Sequence, residues 1–246
     1  MVECIVNEYK CIHKHTISNF SIMNPVLIVV QTGLMIVFDG NEFIKVQSSG
    51  FILVKMNAVL DYTFIPEVGG FNAFFIFLPC PIPKNLNFDG FGMSENNLSD
   101  IAKFLVKNPS NTKYTGYLMS VLEGYGLLEY LCRSDYCYIT DRLIVTFSRD
   151  PSAVHKLRNY AMFYGVSRSR FLGYLKKDNF TFLSLLRDVR ISSSIFKFQR
   201  FTSLYKISLS CGYPDLKKFK KAFLNHFGLQ VEVYISMLGL EHKFDI

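Results

Sequence analysis

From about residue 19 to residue 78 the chain alternates short apolar runs with turn formers. Residues 26–31, 34–38, 43–47, 51–55, 60–65 and 73–78 are rich in Val, Ile, Phe and Tyr. These residues fit a pleated, half-buried surface, so the runs are predicted as strands. Asp39-Gly40-Asn41 is a hairpin signal between two of them, and Ser48-Ser49-Gly50 marks another turn. Six or more strands at this spacing predict a small β-barrel or sandwich. Pro79, Pro81 and Pro83 withhold backbone donors from any further ladder, so the sheet is expected to end there.

Beyond Phe91 the apolar period lengthens. Ser94 and Ser99 are candidate N-caps, and Ile101, Phe104 and Leu105 repeat at helical spacing. A second helix is expected over residues 114–132, with Leu118, Leu122, Tyr125, Leu128 and Leu131 on one stripe and Gly124 and Gly126 weakening its middle. Two uses of that stripe are open: packing on the sheet, or pairing two subunits.

The last hundred residues repeat a unit. Ala161 precedes Gly165 by four, as Ser208 precedes Gly212, and the two glycines stand 47 positions apart (212 minus 165). A small residue lets a second helix cross close by, and glycine accepts the positive φ of a tight helix–turn–helix. Ser167 would cap a helix running to about residue 177, with Phe171 and Leu175 facing in. The second unit has Phe219 and Phe223, again four apart. From Thr181, residues Phe182, Leu185, Leu186, Val189 and Phe196 fall on one side, which predicts a single helix joining the two units.

Residues 157–234 resemble the AraC/XylS family of bacterial transcription regulators. The resemblance is carried by Ile207-Ser-Leu-Ser-Cys-Gly-Tyr213, then Phe219, Phe223, His226-Phe227-Gly228 and Tyr234, and by Leu186-Arg187-Asp188-Val189-Arg190-Ile191, which is similar to the family's linker helix. It implies an α+β chain. A β-rich sensory barrel would occupy residues 1–92, a helical dimerisation and connector region 93–150, and a DNA-binding domain with two helix–turn–helix units 151–246. It further implies a homodimer on promoter DNA, RNA polymerase as a partner if the protein activates, and a likeness to virulence regulators of enteric bacteria.

The base-facing positions implied by the resemblance are Leu216, Lys217, Lys220 and Lys221 in the second unit, with Lys218 to the side. Helix geometry also turns them away from Phe219 and Phe223. Lysines on one helix face repel each other unless an anion meets them, so the face is either simply solvated or built for DNA. In the first unit the corresponding positions are Ser169, Leu172 and Gly173, flanked by Arg168 and Arg170 as phosphate clamps. Gly173 reads no base, so the second unit is expected to carry more of the sequence discrimination.

Charge sharpens this picture. The 246 residues carry a net +7. Residues 1–150 hold 11 Lys/Arg against 14 Asp/Glu, and residues 151–246 hold 16 against 6. Only the back half is thus suited to a polyanion. The alternative is an interaction scaffold whose basic half meets an acidic protein or RNA.

The front half offers either an apolar pocket or a barrel that only packs. Some family members bind fatty acids, and Lys10, His13, Lys45, Lys55 and Lys197 are the basic side chains proposed for a carboxylate here, with His15 and Arg200 nearby in sequence. Cys11, His13 and His15 would share a face on a strand, but no fourth ligand accompanies them, and no metal or other cofactor is expected. The six cysteines form no CxxC pair and are expected to be reduced thiols of a cytoplasmic protein. The opening residues lack a signal-peptide core, and the apolar run 25–38, broken at Gln31, Thr32 and Gly33, is too short to span a membrane. Neither GxSxG, HExxH nor a phosphate loop is present, and no enzymatic activity is expected.

Overall fold

The structure is a computed structural model that describes residues 5–21, 25–54, 59–78, 98–108, 112–124, 126 and 139–244. In chain order the strands are β1 (Ile5–Cys11), β2 (His15–Ser21), β3 (Val26–Thr32), β4 (Leu34–Phe38), β5 (Phe43–Val46), β6 (Phe51–Val54), β7 (Val59–Ile65) and β8 (Phe71–Phe77). The helices are α1 (Leu98–Lys107), α2 (Thr112–Gly124), α3 (Ile139–Arg149), α4 (Leu157–Phe163), α5 (Arg168–Lys177), α6 (Phe182–Ser192), α7 (Lys197–Arg200), α8 (Leu204–Ser210), α9 (Leu216–Phe227), α10 (Val231–Leu238) and α11 (Glu241–Phe244). Two compact units result: Met1–Ser134 with Ser236–Gly239, and Asp135–Ile235 with Leu240–Ile246.

The β unit holds two four-stranded antiparallel sheets, in the orders β1-β8-β3-β6 and β2-β7-β4-β5. Among the described strands no ladder joins one sheet to the other, so of the expected barrel or sandwich the structure holds the open sandwich. β1 is a strand that the apolar pattern missed. Asn7, Glu8 and Lys10 interrupt its run, although Tyr9 and Cys11 are fully buried. β3 explains itself: residues 26–30 are all buried, because Leu27 and Val29 lie under α1 and α2 while the alternate residues serve the opposite face. Ile101, Leu105, Leu118, Met119 and Leu122 complete that cluster. The Leu118–Leu122 stripe is therefore spent on the chain's own sheet. Of the predicted helix over 114–132, the part up to Gly124 is described as helix, and residues 125 and 127–132 lie outside those described.

The hairpin at Asp39 is present. Phe38 pairs with Phe43, and the backbone N–H groups of Asn41 and Glu42 donate to Asp39 Oδ1 at 2.9 Å each. These donors hold the Asp39 carboxyl below the usual carboxylate range. The alternation Cys11, His13, His15 does not run along one strand, since β1 ends at Cys11 and β2 opens at His15. His13 is exposed while the other two are buried, so the three share no face. Cys11 and Cys211 are free and buried, and burial pushes the Cys11 thiol up to about 12.

In the helical unit α3 packs on α5 and α6, burying Leu143 and Phe147. No described helix is long and apolar enough to cross a membrane.

Candidate nucleic-acid interface

Two helix–turn–helix units are built alike. In the first, α4 and α5 are joined through Gly165 (φ 62°); in the second, α8 and α9 through Gly212 (φ 78°). The Val166 N–H donates to the Ala161 carbonyl at 3.0 Å, and the Gly165 N–H to the Met162 carbonyl at 3.0 Å. The second unit repeats both bonds, from Tyr213 to Ser208 and from Gly212 to Leu209, at 2.9 Å each. This pair of bonds satisfies the last carbonyls of the first helix and aims the chain into the next one. Ser167 caps α5 by accepting from the Arg170 N–H at 3.2 Å. Asp215 caps α9, accepting from the N–H groups of Lys217 (2.8 Å) and Lys218 (3.3 Å). Phe171 and Leu175 bury one face of α5; Phe219, Phe223 and Phe227 bury one face of α9.

The joining element is α6, capped by a reciprocal Thr181–Ser184 box. It stops at Ser192 rather than continuing through Phe196. There Ser193 Oγ donates to the Arg190 carbonyl and Ser194 Oγ to the Ile191 carbonyl, so serine hydroxyls take the acceptors that another helical turn would use. Arg190 ties the two units together. Its Nε donates to the Pro151 carbonyl at 2.8 Å and its Nη2 to the Ala153 carbonyl at 3.0 Å, while its guanidinium packs over Gly212. Nothing but the helix position of Arg190 hinted at this role in the sequence. Asp188 on the same helix lies 3.5 Å from His226 Nδ1 and 3.4 Å from Arg187 Nε, which adds a link from α6 to α9.

The predicted contact residues fall as follows. Arg168, Ser169, Arg170, Leu172 and Gly173 are all exposed on α5. On α9, Lys217 and Lys221 are exposed, but Leu216 and Lys220 are half-buried, and Lys218, expected at the side, is exposed as well. Lys220 Nζ donates to Glu232 Oε1 on α10, a partner twelve residues on that helical periodicity could not foresee. That ammonium holds the Glu232 carboxyl below its ordinary range. The sequence reading also passed over Tyr174. Its hydroxyl accepts from Arg170 Nε at 2.9 Å, and the Arg170 and Lys177 cations stand 5.9 and 6.0 Å from its ring centroid. The spacing 170, 174, 177 was the available signal, since residues three and four apart meet on a helix.

The basic side chains proposed for a carboxylate are each placed differently. Lys10 is exposed on β1 and pairs with Glu8 at 2.9 Å. Lys45 is exposed on β5, and His13 is exposed between β1 and β2. Lys55 lies outside the described residues. In the helical unit Lys197 is half-buried and donates to the Ser210 carbonyl at 2.7 Å. His15 faces inward: its Nδ1 donates to the His13 carbonyl at 2.9 Å, which leaves Nε2 to accept from the Tyr9 hydroxyl at 2.7 Å. Among the described residues no group of His, Cys, Asp or Glu is placed to hold a metal ion.

In chain order an antiparallel sandwich is followed by two equivalent helix–turn–helix units on one joining helix. The solved structures with this fold include ToxT from Vibrio cholerae O395, at 16% identity and a TM-score of 0.62, covering 96% of this chain and 98% of that one. Unsaturated fatty acid-bound wild-type ToxT from strain SCE256 matches at 14% identity and 0.64, covering 96% of each chain. ToxT bound to (E)-4-(8-methylnaphthalen-1-yl)but-3-enoic acid matches at 15% and 0.63, covering 96% of this chain and 99% of that one. No protein-family model matches the sequence, and no curated protein sequence matches it. At these identities the likeness is one of fold.

Proposed function

We propose that this protein is a sequence-specific DNA-binding transcription regulator of the AraC type. The observation that carries the reading is the duplicated turn. Equivalent hydrogen bonds at Gly165 and Gly212 present two capped helices whose exposed faces hold Arg168, Arg170, Lys217, Lys218 and Lys221. In this reading α5 and α9 enter successive major grooves, about 34 Å apart on one face of the duplex. Ser169 and Leu172 meet base edges in the first groove, with Gly173 beside them. Leu216, Lys217, Lys220 and Lys221 serve the second, where most of the sequence discrimination resides. Residues 1–92 are the sensory region, 93–150 the connector and 151–246 the DNA-binding region of a cytoplasmic, non-enzymatic homodimer. It acts as an activator through RNA polymerase.

The effector is an apolar carboxylic acid. Both ToxT ligands named above are of that class, an unsaturated fatty acid and an aryl-butenoic acid. Lys10, His13, Lys45, Lys55 and Lys197 supply the cations from which a carboxylate partner is drawn.

Footprinting on the protein's own upstream region, with excess non-specific DNA, tests the reading. A protected site of about two helical turns, lost when Lys217, Lys220 and Lys221 are changed to Ala, is the expected result. Equal binding to any polyanion would instead favour the scaffold reading.

A further inference from the structure

We propose that Glu232 competes with DNA phosphate for Lys220, so that α9 keeps one positive charge in reserve and binds DNA more weakly than its four lysines allow. The inference rests on the DNA-binding reading above. It starts from the allocation of charge on one helix. Lys217, Lys218 and Lys221 are exposed, and no carboxylate pairs with them among the described residues. Lys220 alone is engaged, by the Glu232 carboxylate in the first turn of α10.

The fold has little need of that ion pair. Its two side chains are 39% and 37% exposed, a setting in which water and salt screen most of the attraction. α9 is already held by buried Phe219, Phe223 and Phe227 and by its Asp215 cap, and α10 by buried Val231, Tyr234, Ile235 and Leu238. What the pair does change is the field at the contact surface. It cancels one lysine and keeps an ionised carboxylate beside the helix that meets phosphates. A phosphate can take Lys220 only by displacing the Glu232 carboxylate, so the ion pair withholds that contact from the duplex.

Counterion release sets the size of the effect. Each phosphate neutralised on a duplex adds about 0.9 to the slope of log K against log salt. Replacing Glu232 with Gln frees Lys220 for one such contact, so the slope should steepen by about one, and affinity near 0.1 M salt should rise about fivefold.

The test compares wild type, Glu232→Gln, Lys220→Ala and the double variant on a random-sequence duplex across a salt series, with thermal unfolding of each. The expected result is tighter binding and a steeper slope for Glu232→Gln, with most of the gain absent in the Lys220→Ala background. Unchanged or weaker binding by Glu232→Gln would overturn the proposal. So would an equal gain in both backgrounds, which would mean general repulsion rather than competition for Lys220. A Lys217→Ala/Lys221→Ala variant separates the two levels. If it binds as wild type does, the DNA-binding reading of α9 fails. If it loses binding while Glu232→Gln changes nothing, only the competition fails.

Discussion

Arg190 and Gly212 meet at a distance that only a glycine permits. A Cβ at residue 212 would stand 2.7 Å from Arg190 Nε and 2.7 Å from the Pro151 carbonyl oxygen. Because Arg190 also holds the carbonyls of Pro151 and Ala153, the second turn, the joining helix and the approach to the first unit converge on one guanidinium. Gly165, the equivalent residue of the first unit, has nothing within 4 Å of where its Cβ would be. The two turns share a conformation but not a packing environment.

This asymmetry predicts unequal costs. Gly165→Ala carries only the penalty of a left-handed residue, about 1 kcal/mol. Gly212→Ala adds a clash with a backbone carbonyl and displacement of two charge-assisted hydrogen bonds, for about 3 kcal/mol or more. Urea unfolding followed by circular dichroism compares them. Equal losses would show that Arg190 yields without cost.

Arg190 itself should not be replaceable by Lys. Two donors in a fixed fork reach two carbonyls, and an ammonium cannot reproduce that geometry. Arg190→Lys is expected to destabilise the helical unit by about 2 kcal/mol. It should also blur the spacing of the two protected grooves in a footprint. Retention of both full stability and a two-groove footprint would rule the tie out.

Burial makes His15 a source of acid sensitivity. Desolvation lowers its pKa below the ordinary 6.5, opposed by the bond to the His13 carbonyl and aided by the charge of His13. The folded state therefore binds this proton less readily than the unfolded state does. The contribution of neutral His15 is complete above about pH 6.5 and is lost as pH falls through its lowered folded value. Protonation would also turn Nε2 into a donor, so the Tyr9 hydroxyl would have to reverse its bond. The melting temperature of wild type should exceed that of His15→Gln near pH 7.5, and the difference should shrink toward pH 5. A difference independent of pH would remove His15 as the cause.

How much of this was legible in the chain depended on the range of the interaction. The turns at Gly165 and Gly212 and the inward Phe219 and Phe223 rest on contacts five residues apart or less, which local spacing reports directly. β3 was visible because both its faces are buried, which leaves an unbroken apolar run. β1 was not, since Asn72 of β8 donates to Glu8 and so lets a charge sit within a buried strand. Open sandwich against closed barrel turns on which distant strands pair, and the run lengths are the same in either case. Among the proposed contact residues, the exposure of Lys217 and Lys221 followed from helical phase. The occupation of Lys220 by Glu232 depends on how α10 returns beside α9, which no local pattern encodes.

Gly173 makes the last prediction. It lies exposed in the middle of α5 with helical φ, and an added Cβ would meet nothing within 4 Å. Nothing in the fold uses it, while glycine inside a helix is worse than alanine by roughly 0.5–1 kcal/mol. Gly173→Ala should therefore raise the melting temperature by about 4 °C. Its neighbours on the outer side of α5 are Ser169 and Arg170, the residues assigned to base edge and phosphate. If α5 seats as proposed, the missing side chain lets the helix backbone come close to the groove floor, and the added methyl should weaken operator binding about tenfold as it stabilises the fold. A stabilised variant that footprints as well as wild type would mean that α5 stands away from the bases, leaving only its arginines to touch the DNA backbone.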